Sequence, residues 1–269
     1  MRIARGESIA THALLVVAAV IAAFPLVSIV VSSLHGVTGS SGGLSFASYS
    51  TAWTNGRFGS ALLSSALVSV TVVVVTVLLA CLAGFALATM RVPGGRLILG
   101  LLLLGLVLPY EVTVLPLYEL LAGWHLVDTY WALILPQIAL SVPLGVLWMR
   151  SFFASVPTEL LEAARIDGTS RLQTLRLVVL PVAGPAIATL STVLFLFTWN
   201  EFLLALILVP DNATVQTVPL ALSFFSGAAR SSDPAVTAAA AVLVALPVLL
   251  AYALLQRRLI GGLTEGAVK

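Results

Sequence analysis

Long apolar stretches separated by short polar, glycine- or proline-containing segments dominate the pattern of this chain. Because a helix needs roughly 20 apolar residues to cross a bilayer, six stretches qualify. They lie at 11–34, 60–88, 97–117, 131–149, 183–208 and 236–256. None shows the alternation of an outer-membrane strand, and lipid leaves free backbone groups unsatisfied. The pattern predicts an all-α membrane protein, with six transmembrane helices in a single domain over residues 1–269.

Two stretches need comment. The third stretch is expected to be broken at its outer end by Pro109, Glu111 and Pro116, and a short interfacial segment then leads to Trp131. The first resembles a signal peptide, but it is long and has no convincing small-residue cleavage site before Gly36. We therefore expect it to remain as the first span.

Composition supports a membrane protein and excludes several other classes. Hydrophobic residues make up 60% of the chain and charged residues 9%, whereas soluble domains have about 45–50% and 25%. A net charge of +2 without a basic patch gives no sign of nucleic-acid binding. The single cysteine, Cys81, excludes an intrachain disulfide. The three histidines are scattered, so we expect no metal site.

The basic residues predict the topology. Eleven of the thirteen fall on one side of a six-span arrangement, and only Arg57 and Arg230 fall on the other. The eleven are Arg2, Arg5, Arg91, Arg96, Arg150, Arg165, Arg171, Arg176, Arg257, Arg258 and Lys269. By the positive-inside rule that side is cytoplasmic. Both termini, including a tail over 257–269, are therefore predicted to be cytoplasmic.

The largest cytoplasmic loop, 150–182, has the pattern of two short helices joined by a hinge. Pro157 suits the first turn of a helix, and Gly168 suits the left-handed residue that ends one. Ser170 and Gln173 have the spacing of a capping box, and the second helix is expected to end before Pro181. Such a loop could lie on the membrane surface or pack under its own bundle. Small residues beside a carboxylate and a glycine turn favour instead a helix that docks into another protein.

The residues of this loop resemble the EAA motif in the membrane subunits of bacterial ABC importers. The matching residues are Glu162-Ala163-Ala164, Gly168 after three more, and Val178-x-Leu180-Pro181 after nine more, with Val178 in place of the usual isoleucine. Asp128 to Trp131, Trp199 to Phe202 and Gly262 to Lys269 are similar to the carbohydrate-uptake, maltose-type branch. The resemblance covers nearly the whole chain and is weakest before Tyr49.

The resemblance implies that the loop is a coupling helix seated in a cleft of a separate ATPase. Glu162 and Gly168 would orient this helix, and Ala163 and Ala164 would give its contact surface. Leu180-Pro181 would join the loop to the fifth span.

The implied partners are a second permease subunit that forms a heterodimer with this chain, two cytoplasmic ATPase subunits and an extracytoplasmic solute-binding protein. The sequence contains no P-loop, and its only lysine is Lys269. We therefore expect the chain to be a transport subunit rather than an enzyme. It would bind no cofactor itself, because ATP and Mg²⁺ would bind to the partner ATPase.

Trp199, Asn200 and Glu201 form a polar and aromatic group inside the predicted fifth span. A carboxylate at membrane depth is costly unless it faces a cavity or a partner. These residues could therefore line a solute path, contact the second permease or stabilise the bundle. The resemblance favours a carbohydrate, polyol or sugar phosphate as solute. The alternative function is an ion-gradient-driven secondary transporter or channel, which would leave the loop unexplained.

Overall fold

The computed structural model describes residues 5–35, 44–226 and 233–265 and is helical almost throughout these ranges. The helices are α1 Arg5–Ser33, α2 Ala47–Asn55, α3 Phe58–Thr89, α4 Gly95–Val107, α5 Val114–Gly123, α6 Tyr130–Ala154, α7 Thr158–Ile166, α8 Arg171–Gln173, α9 Leu180–Val182, α10 Gly184–Trp199, α11 Leu203–Leu208, α12 Val218–Ser226 and α13 Pro234–Glu265. A 3₁₀ turn, Tyr110–Thr113, precedes α5, and a π-helical segment, Thr174–Val179, joins α8 to α9.

Within the described ranges, three helices are long and apolar enough to cross a membrane: Thr11–Ser33, Phe58–Thr89 and Tyr130–Ala154. Two further pairs qualify if each is counted as one bent span. They are Gly95–Val107 with Tyr110–Gly123, bent by 92°, and Arg171–Val182 with Gly184–Trp199, bent by 80°. Pro234–Leu250 is a shorter apolar helix. The all-helical class is confirmed, and the count of six spans stays a prediction.

The chain divides into two compact units, one of residues 1–59 and 221–247 and one of residues 60–220 and 248–269. In the first unit, the hydroxyl groups of Ser33 and Tyr49 are 2.6 Å apart, which ties the end of α1 to α2. The rings of Phe58 and Phe225 stack with their centroids 6.2 Å apart. The predicted cytoplasmic tail, 257–269, has no described side chains, and its last four residues lie outside the described part of the chain.

The second unit contains two buried apolar clusters. One joins α3, α5, α6 and α11. The other, which we call the inner apolar cluster, joins α3, α6, the π-helical segment and α10. Small residues bring α3 and α6 together, since a Cβ at Gly84 would lie 2.8 Å from the backbone N of Arg150. At Gly145 it would lie 3.1 Å from the Cβ of Ala80. Close backbone approach at small residues is typical of helix packing in membranes.

Candidate coupling loop and transport path

The turn after α7 is a Schellman motif centred on Gly168. Gly168 has φ = +75°, a left-handed conformation that L side chains adopt only at a cost. Its N–H donates to the carbonyl of Arg165 over 3.0 Å, and the N–H of Thr169 donates to the carbonyl of Ala164 over 3.1 Å. The two bonds satisfy carbonyls that the end of a helix would otherwise leave free. Glycine at this position therefore ends α7 sharply, as the sequence predicts.

The next helix begins with the predicted capping box. The backbone N–H of Ser170 donates to Oε1 of Gln173 over 2.8 Å, and the N–H of Gln173 donates to Oγ of Ser170 over 3.4 Å. Two threonines that the sequence did not single out reinforce the turn. The hydroxyl of Thr169 donates to the carbonyl of Ala164 over 2.7 Å and lies 2.9 Å from the hydroxyl of Thr174. The hinge between the two helices is therefore held by side chains as well as by backbone geometry.

The two faces of α7 differ in what they contact. Leu161 packs against the inner apolar cluster, and Ala164 is only 5% exposed. Glu162 and Ala163 are exposed, and Ile166, on the same outward face, is 86% exposed. Glu162 makes no hydrogen bond or ion pair with any described residue. Helix geometry points Ala164 towards the bundle in this conformation, and the role of both alanines in one contact surface stays a prediction.

A small cavity lies under α7. It has a volume of about 30 Å³ and lies between the end of α3, at Phe85 and Thr89, and the loop residues Arg165 and Arg171. This volume is enough for about one water molecule. α7 therefore rests on the bundle through Leu161 and Ala164 and not along its whole length.

The second helix of the loop continues past Pro181, so the predicted end before Pro181 is wrong. Proline has no N–H and clashes with the carbonyl four residues earlier, which normally breaks a helix. Here the π-helical segment Thr174–Val179 precedes the proline and changes the hydrogen-bond spacing, so the chain stays helical to Val182. Leu180 is half-buried against the inner cluster, and Pro181 is exposed. The 80° bend follows Val182 and precedes α10, so the loop reaches α10 through a sharp corner.

Trp199, Asn200 and Glu201 lie at an interruption between α10 and α11. The stretch 183–208 is therefore not one continuous helix, contrary to the prediction. Trp199 is 4% exposed, and its ring centroid lies 5.4 Å from that of Phe195. The indole Nε1 of Trp199 has no hydrogen-bond partner among the described residues. Asn200 is exposed and donates to the carbonyl of Leu196 over 2.7 Å.

Glu201 uses its two carboxylate oxygens for different partners. Oε1 accepts the backbone N–H of Leu204 over 2.9 Å, in the first turn of α11. Oε2 accepts the hydroxyl of Tyr110 over 3.4 Å. Tyr110 belongs to the 3₁₀ turn at the other interruption, between α4 and α5. No sequence signal could identify this partner, because the two residues are 91 positions apart.

The outer loops hold a second polar group. Asp128, with φ = +61°, accepts the backbone N–H groups of Asp211 and Asn212 through Oδ1, each over 3.0 Å. The side-chain amide of Asn212 donates back to the carbonyl of Asp128 over 2.9 Å. The two loops are therefore clamped together beside the ends of α6 and α11. Within the described ranges, no group of histidine, cysteine or acidic residues could hold a metal ion.

A protein-family comparison identifies residues 80–261 as a binding-protein-dependent transport system inner membrane component. This match covers more than half of the chain and includes α7, the Gly168 turn and Glu201. The chain belongs to this family. As a member it is a multi-pass protein of the inner membrane and a transport component rather than an enzyme.

Individual relatives agree with the family. The trehalose transport system permease protein SugB of Mycobacterium tuberculosis is 36% identical over 164 residues, which cover 61% of this chain and 60% of SugB. The diacetylchitobiose uptake system permease protein DasC of Streptomyces coelicolor is 37% identical over 161 residues, which cover 60% of this chain and 58% of DasC. The chain thus spans less than two thirds of the length of these relatives.

One solved structure shares the fold. It is the crystal structure of a bacterial ABC transporter involved in the import of the acidic polysaccharide alginate. The TM-score is 0.77, with 22% sequence identity over 96% of this chain and 99% of that chain. At this identity the likeness shows the fold alone.

Proposed function

We propose that this chain is a permease subunit of an ATP-driven importer and forms half of a transmembrane path for a carbohydrate or a related polyol or sugar phosphate. The observation that carries the proposal is the outward face of α7, with Glu162 and Ala163 exposed beside the fixed Gly168 turn. The sugar-permease names of the relatives support the solute class.

A docking role for α7 follows from its construction. The exposed carboxylate of Glu162, which has no partner among the residues that the structure describes, and the largely exposed Ile166 suit a groove in another protein. The Schellman turn and the capping box keep α7 in one orientation, so a push on α7 reaches α10 through the helix over 171–182. The exposed Pro181 and the half-buried Leu180 lie in that connection.

The partners follow from this role. The proposal includes a second permease subunit, distinct from this chain in a heterodimer, two cytoplasmic ATPase subunits and an extracytoplasmic solute-binding protein. ATP and Mg²⁺ bind to the ATPase subunits, and this chain carries no cofactor. The placement of arginines supports cytoplasmic termini and a cytoplasmic α7 in a bacterial cell membrane.

The test is purification of the tagged chain with its neighbouring subunits, followed by uptake into proteoliposomes. We expect an ATPase to be retained, and uptake of a radiolabelled disaccharide or polyol to require ATP and the binding protein. Glu162→Lys is expected to abolish uptake at normal membrane levels. Arg96→Glu, an equal charge reversal at an exposed position outside the loop 150–182, is the matched control.

Two outcomes would contradict the proposal. Uptake at the normal rate by Glu162→Lys would remove α7 from the coupling step. Isolation without an ATPase, together with uptake driven by an ion gradient, would identify a secondary transporter instead.

A further inference from the structure

The two helix interruptions of the second unit follow helices of similar length. α4 has 13 residues before its interruption and α10 has 16, which correspond to about 20 Å and 24 Å at 1.5 Å per residue. Both helices begin near the side that carries most of the arginines. If the topology predicted from the arginines holds, the interruptions fall in the outer part of the membrane, where a polar group needs a partner or water.

Short helices follow both interruptions, and we call α5 and α11 the outer arms. The outer arms pack together through buried side chains, with Val114 and Leu121 from α5 and Leu204 and Leu208 from α11 in one apolar cluster. The chain turns by 92° between α4 and the segment that contains α5. The outer arms are therefore packed on each other and set at an angle to at least one of the helices that carry them.

Glu201 joins the two interruptions. Its Oε1 caps the first turn of α11, so the carboxylate is fixed to one outer arm. Its Oε2 accepts the hydroxyl of Tyr110 over 3.4 Å, at the entry to the other outer arm. The Asp128 clamp fastens the opposite end of the same region, where α11 leads into the outer loop. No cation among the described residues pairs with Glu201, so Tyr110 is its only side-chain partner in this part of the chain.

We propose that the Tyr110–Glu201 hydrogen bond fastens the outer arms together, so that they move as one gating body when the path opens or closes. Tyr110 is a positioning residue, because it acts by holding Glu201 and α11 in place. The proposal rests on the proposed transport function, since a gate has a role only in a transport path.

The test measures the distance between the outer arms in the full complex. Cys81 is the only cysteine and is buried, so Cys81→Ala gives a cysteine-free chain. Spin labels at Leu115→Cys and Leu206→Cys, exposed by 72% and 44%, then report on the two outer arms by pulsed electron resonance. We expect a short distance to dominate in the parent, with a minor population at a longer distance. Tyr110→Phe is expected to raise this minor population by about fivefold, as for loss of one ordinary hydrogen bond.

Matched variants separate loss of the Tyr110–Glu201 hydrogen bond from a general loss of stability. Tyr118→Phe removes a hydroxyl from α5 that has no hydrogen bond with the described residues, and it is expected to match the parent. Glu201→Gln keeps a side-chain oxygen and is expected to lie between the parent and Glu201→Leu. A Tyr110→Phe distribution equal to that of the parent, or an equal change in Tyr118→Phe, would overturn the proposal.

Uptake kinetics distinguish a positioning residue from a solute contact. We expect Tyr110→Phe to lower the maximal uptake rate about fivefold, with a KM for the solute within about twofold of the parent. A large rise in KM at an unchanged maximal rate would make Tyr110 a solute contact and overturn the positioning role. The distance measurement does not depend on uptake. If the distance is unchanged in Tyr110→Phe and the importer still works, the role of the Tyr110–Glu201 hydrogen bond is refuted and the proposed function is not. If the assembled complex shows no uptake, the proposed function is refuted whatever the distance.

Discussion

Replacing Gly168 by alanine isolates the contribution of the turn after α7. An added Cβ would meet no atom within 4 Å, so the substitution causes no clash. The only cost is the left-handed backbone at φ = +75°, about 1–2 kcal/mol for an L residue. If the free loop relaxes to avoid this strain, docking must restore the turn, and the affinity for the ATPase falls by about 5- to 30-fold.

The assay measures binding of the purified ATPase to the permease in nanodiscs, together with ATP-dependent uptake. Gly168→Asn is expected to recover much of the affinity, because asparagine tolerates the left-handed region. Gly94 supplies the matched control, since it has φ = +70° and also has nothing within 4 Å of an added Cβ. Gly94→Ala carries the same strain in the turn before α4, outside the coupling loop.

Two results would refute this reasoning. If Gly168→Ala bound the ATPase as tightly as the parent and transported normally, a fixed turn would not be needed for docking. If Gly94→Ala weakened binding as much as Gly168→Ala, the effect would come from general destabilisation and not from the position of α7.

Two further substitutions test the packing of the second unit. Gly84→Ala is expected to destabilise the detergent-solubilised protein by about 1–3 kcal/mol, because its Cβ would lie 2.8 Å from a backbone N of α6. Thermal unfolding measures this loss of stability. Gly100→Ala is the control and should be neutral, because an added Cβ there has nothing within 4 Å. Asp128→Ala removes the acceptor of two backbone N–H groups and should cost about 2 kcal/mol in the same assay. Asp211→Ala is its control, and an equal loss of stability there would contradict the clamp.

The coupling loop could be predicted in detail because its signals are local. Gly168 determines the turn through its own backbone freedom, and Ser170 and Gln173 form their capping box within four residues. Each of these signals involves one residue or residues a few positions apart in the sequence. The error at Pro181 arose because the wider spacing of a π-helix compensates for a proline, and no residue type marks a π-helix in advance.

The outer region could be predicted less well because its signals are not local. Pro109 predicts the interruption after α4, but no proline or glycine indicates the interruption at Asn200. There the new helix depends on Glu201 as a cap, and Glu201 depends on Tyr110, far away in sequence. Hydrophobicity predicted one span over 183–208 because it does not report how the backbone hydrogen bonds are arranged inside an apolar stretch.

The different origins of the two faces of α7 determine how mutations there should be interpreted. The outward position of Glu162 and Ala163 follows from helix periodicity and the local turn, and these side chains contribute little to the bundle. Ala164 is buried and Leu161 packs on the inner cluster, so substitutions there change both the attachment of α7 and its docking geometry. A loss of uptake in an Ala163 variant of normal stability would therefore report on the proposed ATPase contact. The same loss in an Ala164 variant identifies that contact only if thermal unfolding shows that the loop is still attached.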